Sequence, residues 1–194
     1  NELFPAFAVD TVQLVSDLST LLRQRIMSQL EDDGYAADLV QAVAGETVSS
    51  ARLLRDPLDV QVRIQLLRGL RDQGRLSAVQ AVVQRAARLA EKGDLPLGVL
   101  SSADVVDPSR FESASEQGLF EATQRLNPLA SSGSYQDLCD ALVESTPALE
   151  AFFDGDQSVM VMADDPALRT NRLNLLSVLR NQAAVLAQFE LIQS

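Results

Sequence analysis

Sixteen side chains in this sequence are cationic, and fifteen of them are arginine; the exception is Lys92. A guanidinium presents a planar fork of N–H donors that suits phosphates and buried carboxylates alike, so position has to decide between the two uses. At 100° per residue, Arg85, Arg88 and Lys92 fall within about 60° of one another on one helix, opposite its apolar stripe. That is a solvent-facing strip of the kind that tracks phosphates, or else a solvated face with cations at the helix end its dipole favours. On the last helix, Arg169 and Arg180 are eleven residues apart and align on one flank of the apolar stripe, and are further candidates for phosphate contact. Arg172 falls inside that stripe, between Leu168 and Leu176. A guanidinium there needs a partner, because burying it alone is very costly. Asp154 is a candidate for that partner. Arg63 also lies among apolar positions and invites the same structural reading.

Other chemistry is excluded by composition. Histidine is absent, which removes a histidine triad, a histidine-containing zinc site and a histidine acid or base. Cys139 is the single cysteine, so no internal disulfide forms, and with no histidine to activate it the residue reads as a small helix residue. Glycine never clusters into a phosphate loop, tryptophan is absent, and aromatics make up 5%, which argues against a base-stacking platform. The acidic pairs Glu31-Asp32-Asp33, Asp154 with Asp156, and Asp164-Asp165 lack the spacing of a calcium loop and read as helix-end charges. Met160 and Met162 read as core. The expectation is no catalytic residue, no metal site and no cofactor within this chain.

The elements that position these residues are helices. Asp10 opens a first helix that ends by Gly34, with Val12, Val15, Leu18, Leu22, Ile26 and Leu30 on its inward side. A short helix covers 36–44. Asp56-Pro57, a cap followed by proline at the first turn, starts a third that stops at Gly74. A fourth covers 76–92 and carries the basic strip. Residues 94–108 read as a surface loop between a helical half at 1–93 and another at 109–194, together one continuous domain. In the second half, Asn127-Pro128 breaks one helix and Ser145-Thr146-Pro147 another. Residues 159–162 form a buried extended connection, and Asp165-Pro166 opens a long last helix through Gln188. The expectation is an all-α antiparallel bundle of about seven or eight helices.

Net charge is −11 across 194 residues, and its distribution is uneven. Residues 52–92 carry +5 and 165–194 carry +1, while 1–51 carry −6 and 93–164 carry −11. A chain of this charge that bound phosphates would have to confine contact to a basic face and turn its acidic blocks away. The sequence starts at Asn1 with no basic, apolar leader, which reads as a fragment of a longer chain without a secretion signal. No stretch reaches the length of an apolar membrane span, so a cytoplasmic protein without membrane contact is expected.

One run is specific enough to carry a resemblance: Phe152-Phe153-Asp154, then Val159-Met160-Val161-Met162-Ala163-Asp164-Asp165, Ala167-Leu168-Arg169 and Asn171-Arg172-Leu173, in that order. It resembles the DALR-type anticodon-binding domain, in the version that closes the β subunit of bacterial glycyl-tRNA synthetase. That family usually runs from FFD almost directly into VMV, whereas Gly155-Asp156-Gln157-Ser158 intervenes here. Weaker likeness runs through Leu22-Arg23-Gln24-Arg25, Gly34-Tyr35, Leu39-Val40-Gln41-Ala42-Val43, Arg63 with Leu67, Arg85 to Leu89, and Phe111, Glu116 and Leu119. The resemblance implies a tRNA-binding module of a glycine–tRNA ligase whose adenylate-forming site lies in a separate α subunit. It implies tRNA(Gly), the α subunit and the rest of the β subunit as partners in an α2β2 assembly, with ATP and Mg used by the parent complex. The other reading is a helical assembly scaffold that docks other parts of the synthetase; it expects an exposed apolar patch rather than a basic face.

Overall fold

The computed structural model describes residues 10–193, and every regular element among them is helical. Local signals set most boundaries. In α1, Thr11–Asp32, Asp10 accepts hydrogen bonds from the free N–H groups of Val12 and Gln13, and Gly34 turns the chain at φ +83°, where a Cβ would be strained. Two short helices follow, α2 at Ala37–Ala44 and α3 at Ser50–Arg55. Asp56 caps α4, Pro57–Asp72, and Pro57 occupies a first-turn position where its missing donor costs nothing. α5 covers Leu76–Ala90, α6 Ser102–Val105, α7 Ala114–Ser132, α8 Tyr135–Phe153 and α9 Pro166–Ala183. Single 3₁₀ turns sit at Pro108–Arg110 and Phe189–Leu191.

One apolar core runs through both halves. Leu67, Val83 and Ala86 from the first half share it with Leu119, Leu142, Phe152, Leu176 and Leu179 from the second. α9 is the spine, packed between α5 and α7, while α8 lies along α7. Leu175, Leu176, Val178 and Leu179 of α9 are all but inaccessible, and each such side chain contributes about 1.5–3 kcal/mol over leaving it in water.

Five expectations change. Residues 50–55 form a helix, α3, held by a Ser49 cap and by burial of Leu53. Pro128 and Pro147 lie inside α7 and α8 without breaking them, because both prolines face solvent while Leu126, Leu142 and Leu149 on the inner faces are fully buried. Residues 94–108 are not simply a surface loop: Ser102 and Val106 are buried, and side chains of α9 hold the segment along its length. Asn171 donates to the carbonyl of Asp107 and accepts from its N–H, Asn174 donates to Val105, and Asn181 donates to Pro96 and Gly98. The last helix ends at Ala183 rather than near Gln188. The chain then turns so that Phe189 and Ile192 enter the core, where Gln84 donates to both their carbonyls.

The fifth change concerns apolar residues placed inside by periodicity. In the 159–162 segment only Val161 is buried; Met160 is 76% exposed and Met162 44%, because the chain bends at Val161 and Met162 and has no regular element to hold both methionines inward. On α1 the residues from Val12 to Leu22 also face solvent; only Arg23 and Leu30 of that helix are buried. Among the described residues no helix is long and apolar enough to cross a membrane.

Candidate nucleic-acid interface

The basic strip of α5 points outward, and its three cations have different surroundings. Arg85 is engaged: its guanidinium donates to both carboxylate oxygens of Asp154, at 2.8 and 3.0 Å, and lies 4.6 Å from the centre of the Phe153 ring. That pair neutralises its charge at the surface. Arg88 and Lys92 are exposed, and neither side chain has a hydrogen bond or ion pair among the described residues. Both sit at or just past the C-terminal end of α5, where the helix dipole favours positive charge.

The N-terminal end of α9 brings Arg169 to the same place. Lys92 and Arg169 line one cavity of about 390 Å³ together with Gly93, Asp94, Leu95, Thr170, Leu173 and Asn174. Asp165 caps α9 and sets its start, and Arg169, half-buried, donates to the carbonyl of Ala163 at 2.9 Å, which fixes its direction. Arg180 lies nearly three turns along α9, at the far side of Leu95, donating to the Leu95 carbonyl at 3.5 Å and to Asn181 at 3.0 Å. Burial pulls its pKa down, against the opposing charges of Glu190 and Glu91. The structure therefore brings Lys92, Arg169 and Arg180 to the Asp94-Leu95 segment, with Arg88 one turn back on α5. Arg85 stands apart, at the end of α8. Thr170 and Asn174, which the sequence reading did not single out, line the cavity one turn apart on α9.

The arginines placed in apolar stripes do structural work, with one partner corrected. Arg172 is 5% exposed, and its partners are Glu116 and Glu112, not Asp154. Its Nε donates to Glu116 at 2.8 Å, Nη2 to Glu112 at 2.9 Å, and Nη1 to the Met160 carbonyl at 3.1 Å. Burial alone would lower the Arg172 pKa; the hydrogen bond and charge of Glu116, then of Glu112, reverse this and the net shift is upward. Asp154 is out of the contest because it lies at the exposed end of α8, paired with Arg85. Glu116 also accepts from the N–H groups of Glu112 and Ser113, completing the capping box that starts α7. One fully buried carboxylate thus joins the start of α7 to the side of α9. The spacing Ser113 to Glu116 is a capping-box signal readable in the sequence, but its second partner is 56 residues away.

Arg63 is 1% exposed and bridges Asp59, at 2.8 Å, to the carbonyls of Leu186 and Val43. Burial pulls its pKa down first, then the nearby charge of Arg52. Asp59 also accepts from the Tyr135 hydroxyl and faces Arg52. Burial would raise the Asp59 pKa, but Tyr135, Arg63 and Arg52 together bring it below its ordinary value of 3.8. A third buried arginine, Arg23, donates to the carbonyls of Ala44, Gly45 and Val48, which closes the open C-terminal end of α2. In the sequence it stands within the Leu22-Arg23-Gln24-Arg25 likeness and seven residues before Leu30, on the same side of α1, but nothing local names its carbonyl partners.

Comparison with known proteins now narrows the family. No protein-family model matches the chain. It is 42% identical over 186 residues to the glycine–tRNA ligase beta subunit of Picosynechococcus sp., a match covering 93% of this chain and 26% of that protein. The same-named protein of Synechocystis sp. is 38% identical over 194 residues, and that of Aliivibrio fischeri 30% identical over 189. What the chain resembles is one quarter of a glycine–tRNA ligase beta subunit. It spans about a quarter of the length of each of these relatives, at 25 to 27%.

Proposed function

We propose that this chain is a tRNA-binding module, the DALR-type anticodon-binding region of a glycine–tRNA ligase beta subunit. The observation that carries the reading is the meeting of Lys92 and Arg169 in one cavity between α5 and α9, with Arg88 one turn before Lys92 and Arg180 bonded to Leu95 of the same cavity, in a chain of net charge −11. Cations that form no ion pair in so acidic a molecule are available to phosphates, which supports this reading. The parent complex, in this reading, joins glycine to tRNA(Gly) using ATP and Mg held by other parts of an α2β2 assembly in the cytoplasm. This chain supplies RNA contact and no catalytic group. Arg88→Glu, Lys92→Glu and Arg169→Glu should each weaken tRNA(Gly) binding by the 194-residue chain while leaving its helical circular dichroism unchanged and lowering its melting temperature by no more than about 2–4 °C. Unchanged affinity in all three removes this face from the account.

One observation favours the scaffold reading as well, the exposed apolar side of α1. It does not compete for the same surface, because α1 packs against α2 and α3 while the cations lie on α5 and α9.

A further inference from the structure

Six large apolar side chains of α1 face solvent: Val12, Leu14, Val15, Leu18, Leu21 and Leu22, exposed by 46 to 79%. At 100° per residue, Leu14, Val15, Leu18, Leu21 and Leu22 fall within an arc of about 120°. The opposite side carries Gln13, Asp17, Thr20 and Gln24, so the helix is amphipathic with its apolar arc turned outward. C-terminal to Leu22, a groove of about 320 Å³ lies between α1 and α4, lined by Ile26, Leu30, Pro57 and the 70% exposed Leu58 together with polar and charged side chains such as Arg25 and Asp33. Soluble monomers rarely leave an apolar face of this size in water.

Relatives say how much chain is at hand to cover it. The match to the Trichodesmium erythraeum beta subunit covers 96% of this chain and 27% of that protein. Four per cent of 194 residues is about eight, so at most about that much of this chain, less than half of α1, falls outside the match. In each of these relatives, the stretch matching α1 belongs to a polypeptide with about three-quarters of its length outside the match.

We propose that the Leu14–Leu22 face of α1 and the Leu58 groove dock an apolar surface of the remaining part of the same beta subunit. The contact fixes this module against the rest of its own polypeptide and leaves the α5–α9 cations free. The inference rests on the beta-subunit likeness and not on RNA contact, so loss of tRNA binding by the Arg88 and Lys92 variants leaves it untouched.

The test is hydrogen exchange at the backbone amides of residues 12–22, in the 194-residue chain and in the full-length beta subunit that contains it. Exchange should be at least ~10-fold slower in the full-length protein, because docked turns open only when the contact does. Leu18→Gln with Leu21→Gln keeps helix propensity while removing the apolar face. In the full-length protein the pair should restore fast exchange; in the 194-residue chain it should lower the melting temperature only slightly, since Leu18 and Leu21 are already 47% and 60% exposed. Equal exchange in the two wild-type proteins overturns the proposal. So does protection that appears in the 194-residue chain alone and grows with its concentration, which would assign the face to a second copy.

Discussion

At the scale of single residues, the arginines divide by what holds them. Arg172 and Glu116 are both buried, each is the other's principal charge, and Glu116 also caps α7. Arg172→Met strands a carboxylate in the core, and removing one partner of a buried pair costs about 3–5 kcal/mol. Denaturant unfolding of the 194-residue chain should show that loss; a change under about 1 kcal/mol would mean that water reaches Glu116. Arg85 offers the control. Its pair with Asp154 is half exposed on one side and largely exposed on the other, so Arg85→Ala should change stability by about 0–1 kcal/mol in the same measurement. The sequence showed that Arg172 needed a partner, since its place in the stripe is periodicity alone. It did not show which, because Glu116 is 56 residues away and nothing local links the two.

At the scale of elements, α9 does more than supply a core stripe. Its leucines face inward while Asn171, Asn174 and Asn181 hold the 94–108 segment, whose Leu95 forms one wall of the basic cavity. Each such bond to a backbone carbonyl is worth about 1 kcal/mol net. Asn181→Ala should therefore speed backbone exchange in residues 95–99 while leaving α7 and α8 protected; unchanged exchange would show that the segment is held by Ser102 and Val106 instead. Helix starts were legible wherever a cap and a first-turn proline coincide, as at Asp56-Pro57 and Asp165-Pro166. The same proline signal misled at Pro128 and Pro147, where packing of α7 on α8 outweighs the lost hydrogen bond. Val12 to Leu22 misled in another way: a helical period says that one face is apolar, but not whether this chain is what covers it.

For the whole molecule, charge is the governing property. Asp38 and Asp59 join distant parts of the fold, through Arg71 and through Arg63 and Arg52. The Arg71 hydrogen bond holds the Asp38 pKa below 3.8, and the Asp59 pKa is lowered as well. Carboxylates with lowered folded-state pKa values bind fewer protons folded than unfolded. Their contribution is fully present above about pH 4 and is lost as pH falls through the folded values. Thermal melts should thus show a flat stability from neutrality to about pH 5 and a decline below pH 4, which Asp38→Asn should reduce in steepness. A decline already present between pH 7 and 5 would contradict this, since the chain has no histidine to titrate there. If the proposed RNA contact is made by the α5–α9 cations, it is salt-dependent. The most direct measurement is the affinity of the 194-residue chain for tRNA(Gly) across a salt series, for wild type and for Arg88→Glu with Lys92→Glu. Each phosphate contact adds about −0.7 to −0.9 to the slope of log affinity against log salt, so the double variant should flatten that slope by about 1.5 and bind more weakly at low salt. An unchanged slope with unchanged affinity would contradict the assignment of RNA contact to the α5–α9 cations.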